Sequence, residues 1–196
     1  MFLGDSITHG EPHSYRYDLW KYMINAGWDV DFLGTVKDIN EYATYKGQNF
    51  DLNHEGHPGW TASQIDSNIE EWLEVYTPDI VLYHIGTNDM WKSEINNSIE
   101  EISETIEKLR LSNPNVQIYL SKIIPIYKEN KVVKVNIFNS KISALAERLS
   151  TRTSPVILVD HYSGFTENDL TGDKVHPSKS GAKKMAFNWA KILELF

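Results

Sequence analysis

The chain has 196 residues, 41% of them hydrophobic, and a formal net charge of −8 at pH 7. That length and composition exclude a disordered chain and suit one domain over residues 1–196, while the acidity argues against nucleic acid or an anionic membrane surface as a partner. There is no cysteine, so disulfides, thiolate metal sites and a cysteine nucleophile are excluded.

Residues 1–4 read as a short strand that runs into Gly4-Asp5-Ser6, three residues unsuited to a strand interior. In "SYRYDLWKYMINAG", Tyr15, Leu19, Tyr22, Met23 and Ala26 share one helical face, and Gly27 suits the helix end. "WDVDFLG" alternates and predicts a second strand over 28–34. Residues 35–58 are polar and without period, which predicts a long loop. Thr61 and Gln64 form a capping box ahead of Ile65, Ile69, Trp72, Leu73 and Tyr76 at helical spacing. "DIVLYHIG" is a nearly continuous apolar run, as expected of a strand covered on both faces.

The alternation continues to the end of the chain. Ile95, Ile99, Ile102, Ile106 and Leu109 mark a helix ended by "NPN", and "VQIYLSKIIP" predicts a strand stopped by Pro125. A helix follows over about 132–150, then the strand "PVILVD", a polar loop and a helix from about Ser178 to Leu195. Strands joined by helices run parallel with right-handed crossovers. The expected fold is therefore a three-layer α/β/α sandwich around a five-stranded parallel sheet.

In such sheets ligands bind beyond the carboxyl ends of the strands. Four polar, glycine-bearing segments are predicted at that edge: Gly4-Asp5-Ser6, "HEGHPGWT" with Gly59, "GTND" from Gly86 to Asp89, and "DKVHP" from Asp173 to Pro177. Each alone has an ordinary reading. Ser6 caps a turn, Asp173 caps the last helix, Asn88 is a turn residue and His176 is a solvated histidine. Together they supply a different chemistry. A hydroxyl is a weak nucleophile without a base, and an imidazole works as one when a carboxylate fixes its tautomer. Asp173 and His176 have the spacing for that contact within a turn. The backbone N–H groups of Ser6 and Gly59 and the Asn88 amide are candidate donors to an oxyanion.

These blocks, in this order, resemble the SGNH hydrolases, also called GDSL esterases, and the resemblance spans nearly the whole chain. It implies a flavodoxin-like sandwich, Ser6 as nucleophile, His176 as base, Asp173 as its acid partner, and Gly59 and Asn88 in the oxyanion hole. "GDSITHG", "HEGHPGWT" and "GTND" are similar to the carbohydrate esterase branch, which deacetylates xylan and related sugars. Ile7 replaces the more usual leucine of the general motif.

The expected partner is a small-molecule or polysaccharide ester, with no cofactor. Trp60 and Trp91, beside the Gly59 and "GTND" segments, are candidate plates for sugar rings, against the ordinary alternative of core packing. A lipid or short-chain acyl esterase is the nearest rival, but the loops ahead of Gly59 lack an apolar stripe. A non-catalytic sugar-binding module would not need Ser6, Asp173 and His176 together. His54 and His57 in "HEGH" lack the HExxH spacing of a helical metal pair, so no metal is expected. No signal peptide precedes the first strand, an upstream segment would leave secretion open, and the sequence sets neither compartment nor oligomeric state.

Overall fold

Alternation along the apolar strands decides the layering. Phe2, Leu82, Tyr119 and Val159 turn to one side of the sheet, and Leu3, Val81, Tyr83, Ile118, Leu120 and Val156 to the other. Both sides are apolar, so both must be covered. In the computed structural model, which describes residues 1–10 and 12–196, helices cover each face. The strands are β1 (Phe2–Gly4), β2 (Val36–Lys37), β3 (Asn53–Gly56), β4 (Ile80–His84), β5 (Gln117–Lys122) and β6 (Val156–Asp160). The helices are α1 (Ser6–His9), α2 (Arg16–Asn25), α3 (Ala62–Leu73), α4 (Asp89–Lys92), α5 (Ile95–Ser112), α6 (Val132–Leu149) and α7 (Lys179–Ile192).

Helices α3, α5 and α6 bury Ile65, Ile69, Ile102, Ile106, Phe138 and Ile142 on the Leu3 side. On the Phe2 side, α2 and α7 bury Leu19, Trp20, Met23, Met185 and Trp189. The capping box expected at Thr61 and Gln64 is present at the start of α3. None of the helices among the described residues is long and apolar enough to cross a membrane.

The sheet order is β2-β3-β1-β4-β5-β6. Five strands run parallel, and β2 pairs antiparallel to β3 at one edge. The five parallel strands expected are present, and the two-residue β2 adds an antiparallel edge that makes the sheet six-stranded and mixed. The identity of the second parallel strand also changes. Residues 28–34 form no ladder; Phe32 N–H donates instead to the Asp51 carboxylate at 2.7 Å. The strand beside β1 is Asn53–Gly56, from the segment expected to be loop. Its residues are polar, yet His54, Glu55 and Gly56 are buried. Glu55 accepts from the Thr35 backbone N–H and hydroxyl, the Tyr76 hydroxyl and the His57 ring, so its burial leaves no unpaired acceptor.

Candidate active site

The chain passes from β1 outward to β3 and then back across to β4, so β1 is the topological switch point. Open α/β sheets bind ligands beyond the carboxyl end of such a strand. Gly4 ends β1 opposite Gly56 on one side and His84 on the other. A Cβ on Gly4 would lie 2.1 Å from the His84 carbonyl oxygen and 2.4 Å from Thr8 Oγ1. Only glycine lets β1 sit this close to β4 and turn at once into α1. Asp5 caps that helix, its carboxylate accepting from Ile7 N–H at 2.9 Å, and Ser6 is the first helical residue. Burial pushes the Asp5 carboxyl up to about 6, against the Ile7 N–H, which favours the charged form.

Ser6 Oγ lies 2.8 Å from His176 Nε2, across 170 residues of sequence. His176 Nδ1 lies 2.6 Å from Asp173 Oδ2. An ionised carboxylate only accepts, so Nδ1 carries the proton toward Asp173 and Nε2 accepts from the serine hydroxyl. Desolvation would raise the Asp173 carboxyl. It is outweighed by the His176 N–H, the Thr171 hydroxyl, the His176 ring and the Val175 N–H, which hold the group far below the usual carboxylate range. Three of these donors meet Oδ1, at 2.7 Å from Thr171 Oγ1, 2.9 Å from Val175 N and 3.0 Å from His176 N. Oδ2 is left to the imidazole. The signal of the Thr171 contribution in the sequence is only a threonine two residues before the aspartate in "TGDKVH".

The other two segments meet at the opposite wall. His57 N–H donates to the Gly4 carbonyl at 2.9 Å, which ties the residues after β3 to the end of β1. Residues 57–60 then form a turn closed by Trp60 N–H to His57 O at 3.2 Å. Pro58 and Gly59 are its central pair, and Gly59 has φ +81°, as a type II turn requires of its third residue. The "GTND" segment grips this turn. Asn88 Nδ2 donates to the Trp60 carbonyl at 2.9 Å, and Lys92 Nζ donates to the Gly59 carbonyl at 2.8 Å. Asn88 and Lys92 are four residues apart, so one helical face holds two consecutive carbonyls. Asp89, buried between them, accepts from Ala62 N–H and from Ser98 Oγ at 2.7 Å, fixing α4 against the starts of α3 and α5. The Gly59 N–H donates to no group among the described residues, and Ser6 N–H is one of the free donors at a helix start.

The two tryptophans have different settings. Trp60 stacks on His57, with ring centroids 4.3 Å apart, and His57 stacks in turn on Trp72 at 4.7 Å. Trp91 is half-buried; its Nε1–H donates to Glu129 Oε2 at 2.6 Å, and the Lys131 ammonium lies 5.3 Å from its ring centroid. His57 Nε2 contacts Glu55 Oε2 at 2.6 Å and His54 Nδ1 accepts from Gly56 N–H at 3.0 Å, so both "HEGH" imidazoles serve the β3 segment.

A layered α/β fold with serine, histidine and aspartate joined by successive hydrogen bonds beyond its strand ends is the arrangement of an SGNH-type carboxylic ester hydrolase. The model of the GDSL-like lipase/acylhydrolase family matches residues 2–184, and the chain belongs to that family. It is 29% identical over 217 aligned positions to a multidomain esterase of Ruminococcus flavefaciens, an alignment that takes in 99% of this chain. The chain spans only 28% of that protein's length and 55% of a second curated relative's. Among solved structures it is similar to a carbohydrate esterase family 3 protein of Talaromyces cellulolyticus, at 32% identity and a TM-score of 0.90 over 100% of this chain and 96% of that one. A family 3 carbohydrate esterase of Clostridium thermocellum gives 30% identity and 0.83 over 100% and 95%. An acetyl esterase variant solved with an acetate ion gives 32% and 0.90 over 100% and 96%.

Proposed function

We propose that this chain hydrolyses acetyl esters on a carbohydrate, such as acetylated xylan, through an acyl-enzyme on Ser6. The observation that carries this reading is the 2.8 Å contact between Ser6 Oγ and His176 Nε2, with Asp173 at 2.6 Å on the far side of the ring. Ser6 Oγ attacks the acetyl carbonyl as Nε2 takes its proton. Asp173, held ionised by its donors, stabilises the imidazolium. The oxyanion of the tetrahedral intermediate is received by Ser6 N–H, Gly59 N–H and the second Asn88 amide hydrogen, the first being spent on Trp60 O. The imidazolium then protonates the departing sugar oxygen, and the acetyl group stays on Ser6. Water, deprotonated by the same histidine, attacks the acetyl-enzyme, and the imidazolium returns that proton to Ser6 Oγ as the acyl bond breaks and acetate leaves. No step requires a cofactor.

The acetyl and sugar preferences are supported by the acetyl esterase and carbohydrate esterase neighbours at 30–32% identity. Trp60 and Trp91 flank the oxyanion turn and its clamp, and supply apolar ring surface for the sugar. The test compares rates on p-nitrophenyl acetate, butyrate and octanoate with acetate release from acetylated xylan. Acetate and xylan are the expected preferences, whereas an octanoate preference would shift the reading to lipid esters. Ser6→Ala is expected to abolish turnover and to keep the far-UV spectrum and melting temperature of the parent; residual turnover at the parent rate would remove Ser6 as nucleophile.

A further inference from the structure

A groove of about 460 Å³ lies beside the clamp, lined by Ser63, Trp91, Lys92, Asn97, Glu101 and Lys134. We infer that it is a glycan-chain subsite, which binds sugar residues of a neutral polysaccharide next to the one being deacetylated. The inference rests on the carbohydrate reading above for its substrate class. The volume falls within the range of about 300–1,000 Å³ typical of small-ligand sites. The groove adjoins the proposed reaction centre, because Lys92, one of its lining residues, donates to the carbonyl of Gly59.

The lining carries two ammonium groups and two carboxylates, so it has no excess of either sign. Lys92 and Lys134 are the ammonium groups of the lining, and both donate to backbone carbonyls. Lys92 Nζ is 2.8 Å from Gly59 O, and Lys134 Nζ reaches the carbonyls of Ser93, Met90 and Asp89 at 2.9, 3.0 and 3.3 Å. Glu94 and Glu101 are its carboxylates. Beside them the groove offers one indole, the hydroxyls of Ser63 and Ser93, and the exposed amide of Asn97. Hydroxyl groups use such acceptors and donors, and the C–H face of a pyranose suits an aromatic plate.

The plate is also fixed in advance. Glu129 holds the Trp91 ring N–H, and Lys131 lies against the ring. The loop that bears them carries two consecutive non-glycine residues with positive φ, Glu129 at 53° and Asn130 at 55°. Its start is tied to the segment between Asp173 and His176 by Tyr127 N–H to Lys174 O at 3.1 Å. One loop therefore spans from the catalytic histidine's turn to the indole. A ring immobilised before binding costs less ordering entropy when the sugar arrives.

The test reads binding separately from turnover. Non-acetylated xylotetraose, which offers no ester, is titrated into the 15N-labelled chain, and the indole N–H resonance of Trp91 is followed, assigned by its loss in Trp91→Phe. The expected result is a saturable shift of that resonance, with Kd raised at least about fivefold in Asn97→Ala, an exposed helical position where alanine is tolerated. An unmoved Trp91 resonance, or equal affinity in Asn97→Ala, overturns the subsite. Hydrolysis of p-nitrophenyl acetate by the same unsubstituted sample reports independently on the esterase reading. Binding without hydrolysis leaves the subsite standing and removes the proposed activity; hydrolysis without binding does the reverse.

Discussion

At the level of single residues, the proposed general base depends on a carboxylate that is more than one-third exposed, with side-chain exposure of 44%. Solvent weakens the Coulomb part of such a pair, so orientation must come from fixed hydrogen bonds. Thr171 Oγ1, at 2.7 Å from Asp173 Oδ1, supplies one of them without touching any reacting atom. Thr171→Val removes that donor at nearly constant volume. We expect kcat on p-nitrophenyl acetate to fall about three- to tenfold with KM nearly constant, as for a lost hydrogen bond to a charged group. Thr171→Ser should recover most of the rate, and a Thr171→Val enzyme at the parent rate would reject the assignment. The Ser6, Asp173 and His176 segments were legible as sequence blocks because each chemical group sits in a short, glycine- or proline-bearing segment. Thr171 was not, since a single threonine near an aspartate in a loop is ordinary composition.

At the level of elements, the turn proposed to receive the oxyanion is held from outside itself. A type II turn at Pro58-Gly59 fixes its own dihedrals, but its placement against Ser6 depends on His57 at one end and on α4 at the other. Asn88 both grips Trp60 O and is the proposed side-chain donor, so Asn88→Ala should cost kcat about 10²–10³. Lys92 grips the same turn but has no proposed contact with substrate carbonyl. Lys92→Ala is expected to cost kcat about three- to tenfold on p-nitrophenyl acetate with KM changed less than about twofold, and Lys92→Arg should recover it. A loss confined to KM would mean that Lys92 contributes binding only. The clamp could not be read from "GTNDMWK", because its acceptors are backbone carbonyls, which leave no trace in residue type. The same blindness hid β3. A strand of Asn, His, Glu and Gly has no apolar signal, and its burial is made tolerable by Thr35, Tyr76 and His57, which lie outside it. The alternation in residues 28–34 is real, since Phe32 is buried, but alternation marks a half-buried extended segment and not a ladder partner.

On the scale of the whole molecule, the face of the sheet under α7 encloses polar groups that the proposed chemistry does not use. His84, on β4, and His161, just after β6, are buried with ring centroids 6.0 Å apart, and neither ring has a hydrogen-bond partner among the described residues. Sequence concealed this too, because His84 sits inside the apolar run "DIVLYHIG". Burial pushes His84 down to about 4 and His161 well below its usual value, with the neighbouring imidazole adding to the shift of His161. Desolvation likewise lowers His54 to about 3. All three stay neutral in the folded chain and take up protons below about pH 6.5 once it unfolds. Stability must then fall as the pH drops from about 6.5, and for His84 the loss stops growing below about 4. Asp5 opposes this between about 6 and 4, because its folded carboxyl keeps a proton that the unfolded one releases. The depressed carboxylates Asp160 and Asp173 lose their contribution only below about pH 4, outside that window. Each histidine contributes a slope of up to about 1.4 kcal/mol per pH unit in the unfolding free energy. His84→Leu should remove one such contribution, so urea denaturation between pH 6.5 and 4.5 would show a shallower decline than in the parent, whatever the absolute stability of the variant. If the two declines run parallel, His84 is already charged in the folded chain or titrates there as freely as in the unfolded one.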